Sequence, residues 1–212
     1  RKWKDSAMLN FKNIYYDSSL DGGGRIWIDY IKHYDFPKFG SIMEMCSGPG
    51  FMGFFLGMKY GVHDIHLVDI HPPCLESIEE TNRRNNLNAK FYLSDTFDNY
   101  DGPKVDFICA NPPHLKSMPE NYFEDYDPRI LVDMDWYFHK KFFKDIKNYL
   151  KIGGHLLLLE NKNSFSYDLI YSMCNRLELL KEWEITVGGV YSALFKYHDK
   201  QFINVEKNTY LI

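Results

Sequence analysis

The sequence predicts an α/β domain: a doubly wound, mostly parallel sheet of seven strands with an antiparallel edge strand. Three observations predict it. From residue 41 onward, short apolar runs of strand length alternate with stretches whose apolar residues recur at helical spacing, the pattern of a parallel sheet covered by helices. Some runs are apolar throughout, as in "HLLLLE" (155–160), which marks a strand buried on both faces. The last two runs follow one another with no helical stretch between them, as two strands of a hairpin at the sheet edge would.

Taken in order, a strand at 41–46 leads through "SGPG" into a helix at about 51–60 that Gly61 ends. The run "DIHLVD" (64–69) is a strand, and Pro72 and Pro73 suit the first turn of the helix at about 73–86. Strands follow at about 90–94 and 105–110. A long helix at about 134–150 sets His139, Phe142, Phe143, Ile146, Tyr149 and Leu150 on one stripe, and "KIGG" stops it before the strand at 155–160. A helix at about 165–178 and strands near 181–188 and 191–198 complete the set. Residues 1–40 do not continue the alternation. Their segment "SSLDGGGRIWIDYIKHY" (18–34) holds three consecutive glycines and then a short helical pattern with Trp27, Tyr30 and Ile31. It is expected to be an N-terminal extension or lid packed on a ligand-binding domain of residues 41–212.

The chain has 212 residues, of which 45% are hydrophobic and 25% charged, the balance of one globular domain with its own core. No apolar run approaches the roughly 20 residues that span a bilayer, and no membrane association or secretory leader is expected. Cys46, Cys74, Cys109 and Cys174 are widely spaced, which suits reduced thiols and a cytoplasmic location. A net charge of −4 weighs against a protein that clamps a phosphate backbone, since that requires clustered Lys and Arg. His63, His66 and His71 match no metal-ligand spacing, and no metal is expected.

The stretch "IMEMCSGPGFMGFF" (42–55) carries the first chemical signal. In an open parallel sheet, ligands bind beyond the carboxyl ends of the strands where the strand order reverses. Glycines there admit a ligand close to the backbone, and the following helix offers free N–H groups to an anionic group. Gly48, Gly50 and Gly53 spell G-x-G-x-x-G, which by itself suggests a nicotinamide or flavin dinucleotide. Glu44 lies within the apolar strand, where a carboxylate is costly unless partnered. Asp69 closes the next parallel strand, where a helix N-cap is the local reading, and "LSDTF" (93–97) follows the third.

The second signal is "FICANPPH", which places Asn111-Pro112-Pro113-His114 just past a buried strand. Together these stretches resemble the class I S-adenosylmethionine-dependent methyltransferases, whose fold is Rossmann-like. Glu44-Met45-Cys46-Ser47-Gly48-Pro49-Gly50 resembles their E-x-G-x-G-x-G motif, with Cys46 replacing the first glycine, a change that suits a position of negative φ. The tetrad resembles the N-P-P-aromatic motif of enzymes that methylate the exocyclic amine of adenine or the side-chain amide of glutamine, with His114 in the aromatic place. The resemblance covers residues 41–160.

The resemblance implies S-adenosyl-L-methionine as cofactor, bound by Glu44, Cys46, Ser47, Gly48, Gly50, Phe51, Asp69, Ile70, Asp95, Thr96 and Asn111. It implies that Asn111, Pro112 and His114 carry the reaction. A conjugated –NH2 is a poor nucleophile; the Asn111 side-chain oxygen and the rigid Pro112 carbonyl are suited to accept its hydrogens and turn its lone pair toward the methyl carbon. His114 can stack on the acceptor or take a proton from it. Trp27, Tyr30, Pro113 and Glu160 are the candidate acceptor contacts. The stretch 115–135 has six acidic residues against two basic, which favours a neutral or cationic acceptor, a small molecule or a protein side chain, over nucleic acid. An adenine N6-methyltransferase on nucleic acid, an NAD-dependent oxidoreductase and a non-catalytic cofactor-binding subunit remain the alternatives.

Overall fold

The computed structural model describes residues 14–20, 23–118, 128–173, 179–187 and 190–198. The acidic stretch 119–127, Cys174 and the predicted helix end at 174–178 lie outside the described residues. Seven strands form one sheet: β1 (Ser41–Met45), β2 (Asp64–Asp69), β3 (Lys90–Leu93), β4 (Val105–Ala110), β5 (Leu150–Asn161), β6 (Leu179–Val187) and β7 (Val190–Tyr197). Their order is β3-β2-β1-β4-β5-β7-β6. Strands β1 to β5 pair in parallel, β7 runs antiparallel to β5, and β6 closes the edge as a hairpin with β7. The chain winds outward from β1 through β2 to β3, then returns to lay β4 on the other side of β1, so the order reverses between β1 and β4.

Period-two alternation explains why the strands read as continuously apolar. Ile42, Leu67, Phe107, Cys109 and Leu157 point to one core, shared with α1 (Gly24–Ile31), α2 (Phe51–Tyr60) and α3 (Cys74–Asn85). Their neighbours Met43, Met45, Val68, Ile108, Ala110, Leu156 and Leu158 point to the other, shared with α4 (Tyr137–Asp145) and α5 (Tyr167–Met173). Both faces are covered, so neither side of a central strand admits polar residues cheaply.

Helix α2 is apolar along most of its length, with Phe51 to Gly57 all buried. Gly50, at φ 85°, makes the turn into it, and Gly61, at φ 68°, ends it with its N–H turned back toward Gly57 and Met58. Gly53 faces the sheet: a Cβ there would meet Leu67 Cδ2 at 2.6 Å and Glu44 Oε2 at 3.2 Å. The third glycine of the G-x-G-x-x-G string therefore serves helix–sheet approach.

The structure departs from three sequence expectations. The helix at 134–150 is interrupted at both ends. Asp135 and Trp136 adopt left-handed φ of 53° and 59°, so α4 starts only at Tyr137. At the other end Tyr149 accepts the N–H of Val105 at 2.8 Å and Leu150 pairs with Val105, because the β4 ladder recruits the chain before "KIGG". The fifth strand consequently begins at Leu150, not at 155, and passes Gly153 at φ 81°. Cys46 does not keep a negative φ; it sits at 55°, a left-handed turn that costs a non-glycine residue about 1–2 kcal/mol.

Gly53→Ala is expected to push α2 off β2 and destabilise the fold by about 1–3 kcal/mol, in the range for overpacking a filled core. Equilibrium urea unfolding reads it, and an unchanged midpoint would contradict the packing role.

Candidate active site

The register aligns Met45 with Val68 of β2 and with Ala110 of β4, so the residues that leave these three strands emerge side by side. Cys46, Asp69 and Asn111 thus converge for a reason already present in the topology. A cavity of about 400 Å³ opens there. Its walls include Glu44, Cys46, Ser47, Gly48, Phe51, Asp69, Ile70, Asp95, Thr96 and the whole tetrad Asn111 to His114.

Two carboxylates fix the turn between β1 and α2. Glu44, only 3% exposed, accepts the N–H of Met52 at 3.1 Å on Oε1 and that of Gly53 at 2.8 Å on Oε2. Those are N–H groups of the first helical turn, which have no partner within the helix. Burial pushes its carboxyl up to about 8, against the pull of the two N–H groups. Asp69 accepts the N–H of Gly48 at 2.7 Å on Oδ2 and that of His71 at 2.9 Å on Oδ1. Burial raises the Asp69 pKa too, opposed by the same backbone donors. The β2 end is further tied to β3 by Ser94 N–H to the Asp69 carbonyl, 2.8 Å.

On the next wall Thr96, at φ 54°, turns the chain and Asp95 faces the cavity. The Tyr137 hydroxyl donates to Asp95 Oδ2 at 3.3 Å, and Lys141 pairs with the same carboxylate at 3.2 Å. On the β4 side, the Asn111 Oδ1 is a buried acceptor in the cavity wall. After His114 the chain forms a short bridge, Leu115 with Val132, in which the Asp133 N–H donates to the Leu115 carbonyl at 2.8 Å.

That bridge brings Asp133 into the site and reveals a buried chain of side chains. Asp133 accepts the Phe138 and His139 N–H groups at 2.7 and 3.1 Å, capping α4, and meets His139 Nδ1 at 2.6 Å. His139 Nε2 lies 2.9 Å from Glu160 Oε1, and Glu160 Oε2 lies 3.3 Å from His114 Nδ1. Asp133, His139 and Glu160 are all buried, whereas the His114 side chain keeps 25% exposure at the cavity. Burial opposes charge on His139, but the hydrogen bonds and attraction of Asp133 and Glu160 outweigh it and push its pKa up to about 8.

Some sequence-predicted residues stand elsewhere. Trp27 is 1% exposed and donates its indole N–H to Ser192 Oγ at 2.8 Å, inside the core between α1 and β7. Tyr30 packs against that same core, and neither lines the cavity. Leu20 and Gly24 of that segment do reach it. Gly50 lies behind the wall, where a Cβ would meet Leu67 and Phe54. Glu160 touches the cavity only through His114. Conversely, sequence reading placed His139 on an apolar stripe and gave Asp133 no role. The available signal was an aspartate at the mouth of a helix with a histidine on the helix's buried face. His66 is buried in its own cluster with Asp64, Tyr92 and Tyr100.

Comparisons with known proteins match the chain to methyltransferases. A family model described as the methyltransferase small domain matches residues 5–125, starting well before β1. A candidate protein N5-glutamine methyltransferase of Methanocaldococcus jannaschii is 30% identical over 129 residues, 57% of this chain and 61% of the relative. The ribosomal RNA small subunit methyltransferase C of Haemophilus ducreyi is 24% identical over 159 residues, 74% of this chain and 43% of the relative. The chain therefore spans less than two thirds of the length of either. A 16S rRNA N2 G1207 methyltransferase of T. thermophilus, solved in complex with AdoMet and guanosine, superposes with a TM-score of 0.54 at 19% identity, over 75% of this chain and 37% of that one. That superposition is a likeness of fold.

The imidazolium of His139 makes stability depend on pH. An unfolded His releases its proton near 6.5 and the folded one near 8, so the contribution of this shift is full below pH 6.5 and is lost as pH rises through about 8. Glu44, whose carboxyl is also raised to about 8, acts in the same sense from about 4.5 upward. Unfolding free energy is expected to fall between pH 6.5 and 8.5, less steeply in His139→Gln. Equal slopes for the two proteins would contradict a charged His139.

Proposed function

The chain belongs to the methyltransferase small-domain family, and from that premise we propose that it is an S-adenosylmethionine-dependent methyltransferase acting on a nitrogen of a protein side chain or a small molecule. One observation carries the reading: the Asn111–His114 tetrad and the glycine turn held by Asp69 line one cavity.

The residues present fit the cofactor. Asp69 offers an acidic edge at the end of β2, where ribose hydroxyls find charge-assisted acceptors worth about 1.5–3 kcal/mol each. The left-handed turn at Cys46 and Gly48 keeps the wall low beside it, where a Cβ on Gly48 would crowd the Leu20 carbonyl at 3.3 Å. Ile70, Asp95 and Thr96 supply an apolar and polar wall for the adenine end. When bound, the cofactor supplies a methyl carbon already activated by its sulfonium. The protein's task is then orientation: the Asn111 Oδ1 and the Pro112 carbonyl receive the acceptor's N–H groups, and Pro112 and Pro113 keep that edge rigid. Leu20 and Gly24 reach the cavity from the N-terminal side and cover the bound cofactor there.

The acceptor side favours a neutral or cationic group. Its described wall carries Asp133, and Arg129 is the single Lys or Arg among the described lining residues. Leu131, Met134 and Tyr137 line the cavity yet stay 40–59% exposed, an apolar rim suited to a side chain or small molecule. A nicotinamide reading leaves the tetrad without a task. We assign the reaction to the cytoplasm, where Cys46, Cys74 and Cys109 persist as thiols.

Incubation of the full chain with methyl-labelled S-adenosylmethionine and, in turn, amines, glutamine-containing peptides and ribosomal RNA tests the reading. Label is expected on an amine or peptide, and Asn111→Ala should cut turnover by about a hundredfold, as loss of one oriented contact does. Salt-sensitive labelling of RNA alone would overturn the acceptor class. Wild-type turnover in Asn111→Ala would overturn the role of the tetrad.

A further inference from the structure

The buried chain from Asp133 to His114 is not needed to bind a cofactor or to orient a planar –NH2 group. It runs from the cap of α4, through the core, to the one tetrad position where this sequence replaces an aromatic ring with an imidazole. We propose that His114 is the proton acceptor of the transfer step, held by Glu160, His139 and Asp133 as positioning residues, and that the methyl acceptor is accordingly an amine nitrogen that arrives as an ammonium. This rests on the methyltransferase reading above and names its substrate class.

The geometry sets the tautomer. Glu160 has no exposed surface, and its Oε2 faces His114 Nδ1 at 3.3 Å. A carboxylate only accepts, so Nδ1 carries the hydrogen and Nε2 keeps its lone pair. The other oxygen of Glu160 is taken by His139 Nε2–H at 2.9 Å, and His139 Nδ1–H donates to Asp133 at 2.6 Å. Glu160 thus presents one oxygen to each imidazole, and an imidazolium at His114 would face a buried acceptor already in place. The other titratable groups around Glu160 do not compete: the Cys46 thiol, at the end of β1, and the Tyr191 hydroxyl, on β7, are both pushed up, chiefly by burial, and stay neutral. Left-handed Asp135 and Trp136, between Asp133 and α4, are a backbone cost that this cap and relay hold in place.

A carboxamide or ring amine can react once it is oriented and sheds its proton afterwards. An ammonium has no lone pair until a proton is removed. In the balanced step, a proton passes from the ammonium to His114 Nε2, the freed lone pair forms the new N–C bond, and the S–C bond breaks with its electron pair left on sulfur.

Imidazole NMR of the full-length chain, free and with S-adenosylhomocysteine, tests the relay without an acceptor. Neutral His114 is expected as the Nδ1–H tautomer, and that preference is expected to be lost in Glu160→Gln. In turnover, primary amines should outrun glutamine peptides at least tenfold. His114→Phe should bind S-adenosylhomocysteine but lose at least tenfold in kcat on amines at pH 7, recovering as pH rises. An Nε2–H tautomer, a tautomer preference unchanged in Glu160→Gln, wild-type kcat in His114→Phe, or turnover confined to carboxamides would each overturn the proposal. Failure of the wild type to bind S-adenosylhomocysteine would overturn the cofactor reading instead, and the tautomer of the free protein would still decide the contact.

Discussion

Two carboxylates on neighbouring parallel strands hold one backbone turn, and the site depends on that arrangement. Glu44 reaches up from β1 to the first N–H groups of α2, and Asp69 reaches across from β2 to the Gly48 N–H. Each is mostly buried and each is satisfied by backbone donors, so neither is an uncompensated charge in the core. Together they fix the direction of α2, the curvature of the 46–50 turn and the position of the β2 end. The glycines complete the constraint from the other side: Gly53 lets the helix settle where Glu44 can reach it. A turn fixed in this way presents a preformed concave wall, which lowers the cost of ordering a ligand against it.

The opposite wall is built differently. There the chain leaves β4 through two prolines and returns by the Leu115–Val132 bridge, so that Asp133 and α4 close over the tetrad. Side-chain contacts join the backbone cap there: alternating carboxylates and imidazoles link the α4 cap to His114. Such a network is stable only when every member is satisfied, and here each described carboxylate oxygen of Asp133 and Glu160 has a donor or imidazole partner. One wall is rigid by hydrogen bonds to the main chain; the other can change its protonation. This division suits a site that holds one reactant fixed and prepares another.

Much of this was legible in the sequence, for physical reasons that can be named. Apolar runs separated by helical spacing marked the central strands, because burial on both faces leaves few other residue choices. The cradle was legible because glycine turns and a strand-end acid are local in sequence. What was not legible depended on contacts between distant segments. Trp27 has the composition of a stacking lid residue, yet Ser192, far along the chain, supplies its hydrogen-bond partner inside the core. The long helix at 134–150 was misread because its apolar stripe is real, but Asp135 and Trp136 turn left-handed and β4 recruits Leu150. His139 was read as core, which it is, without the two carboxylates that make it a charge carrier. Cys46 shows the reverse: its replacement of glycine was visible, but only the backbone shows it in a left-handed turn.

The cradle proposed at the ends of β1 and β2 has Asp69 as the acid that anchors S-adenosylmethionine. Isothermal titration of the full chain with S-adenosylhomocysteine, in parallel with NAD, measures it. Saturable binding of S-adenosylhomocysteine is expected with no heat from NAD, and affinity should fall at least tenfold in Asp69→Asn. Binding of NAD in preference, or S-adenosylhomocysteine affinity unchanged in Asp69→Asn, would rule the cradle out.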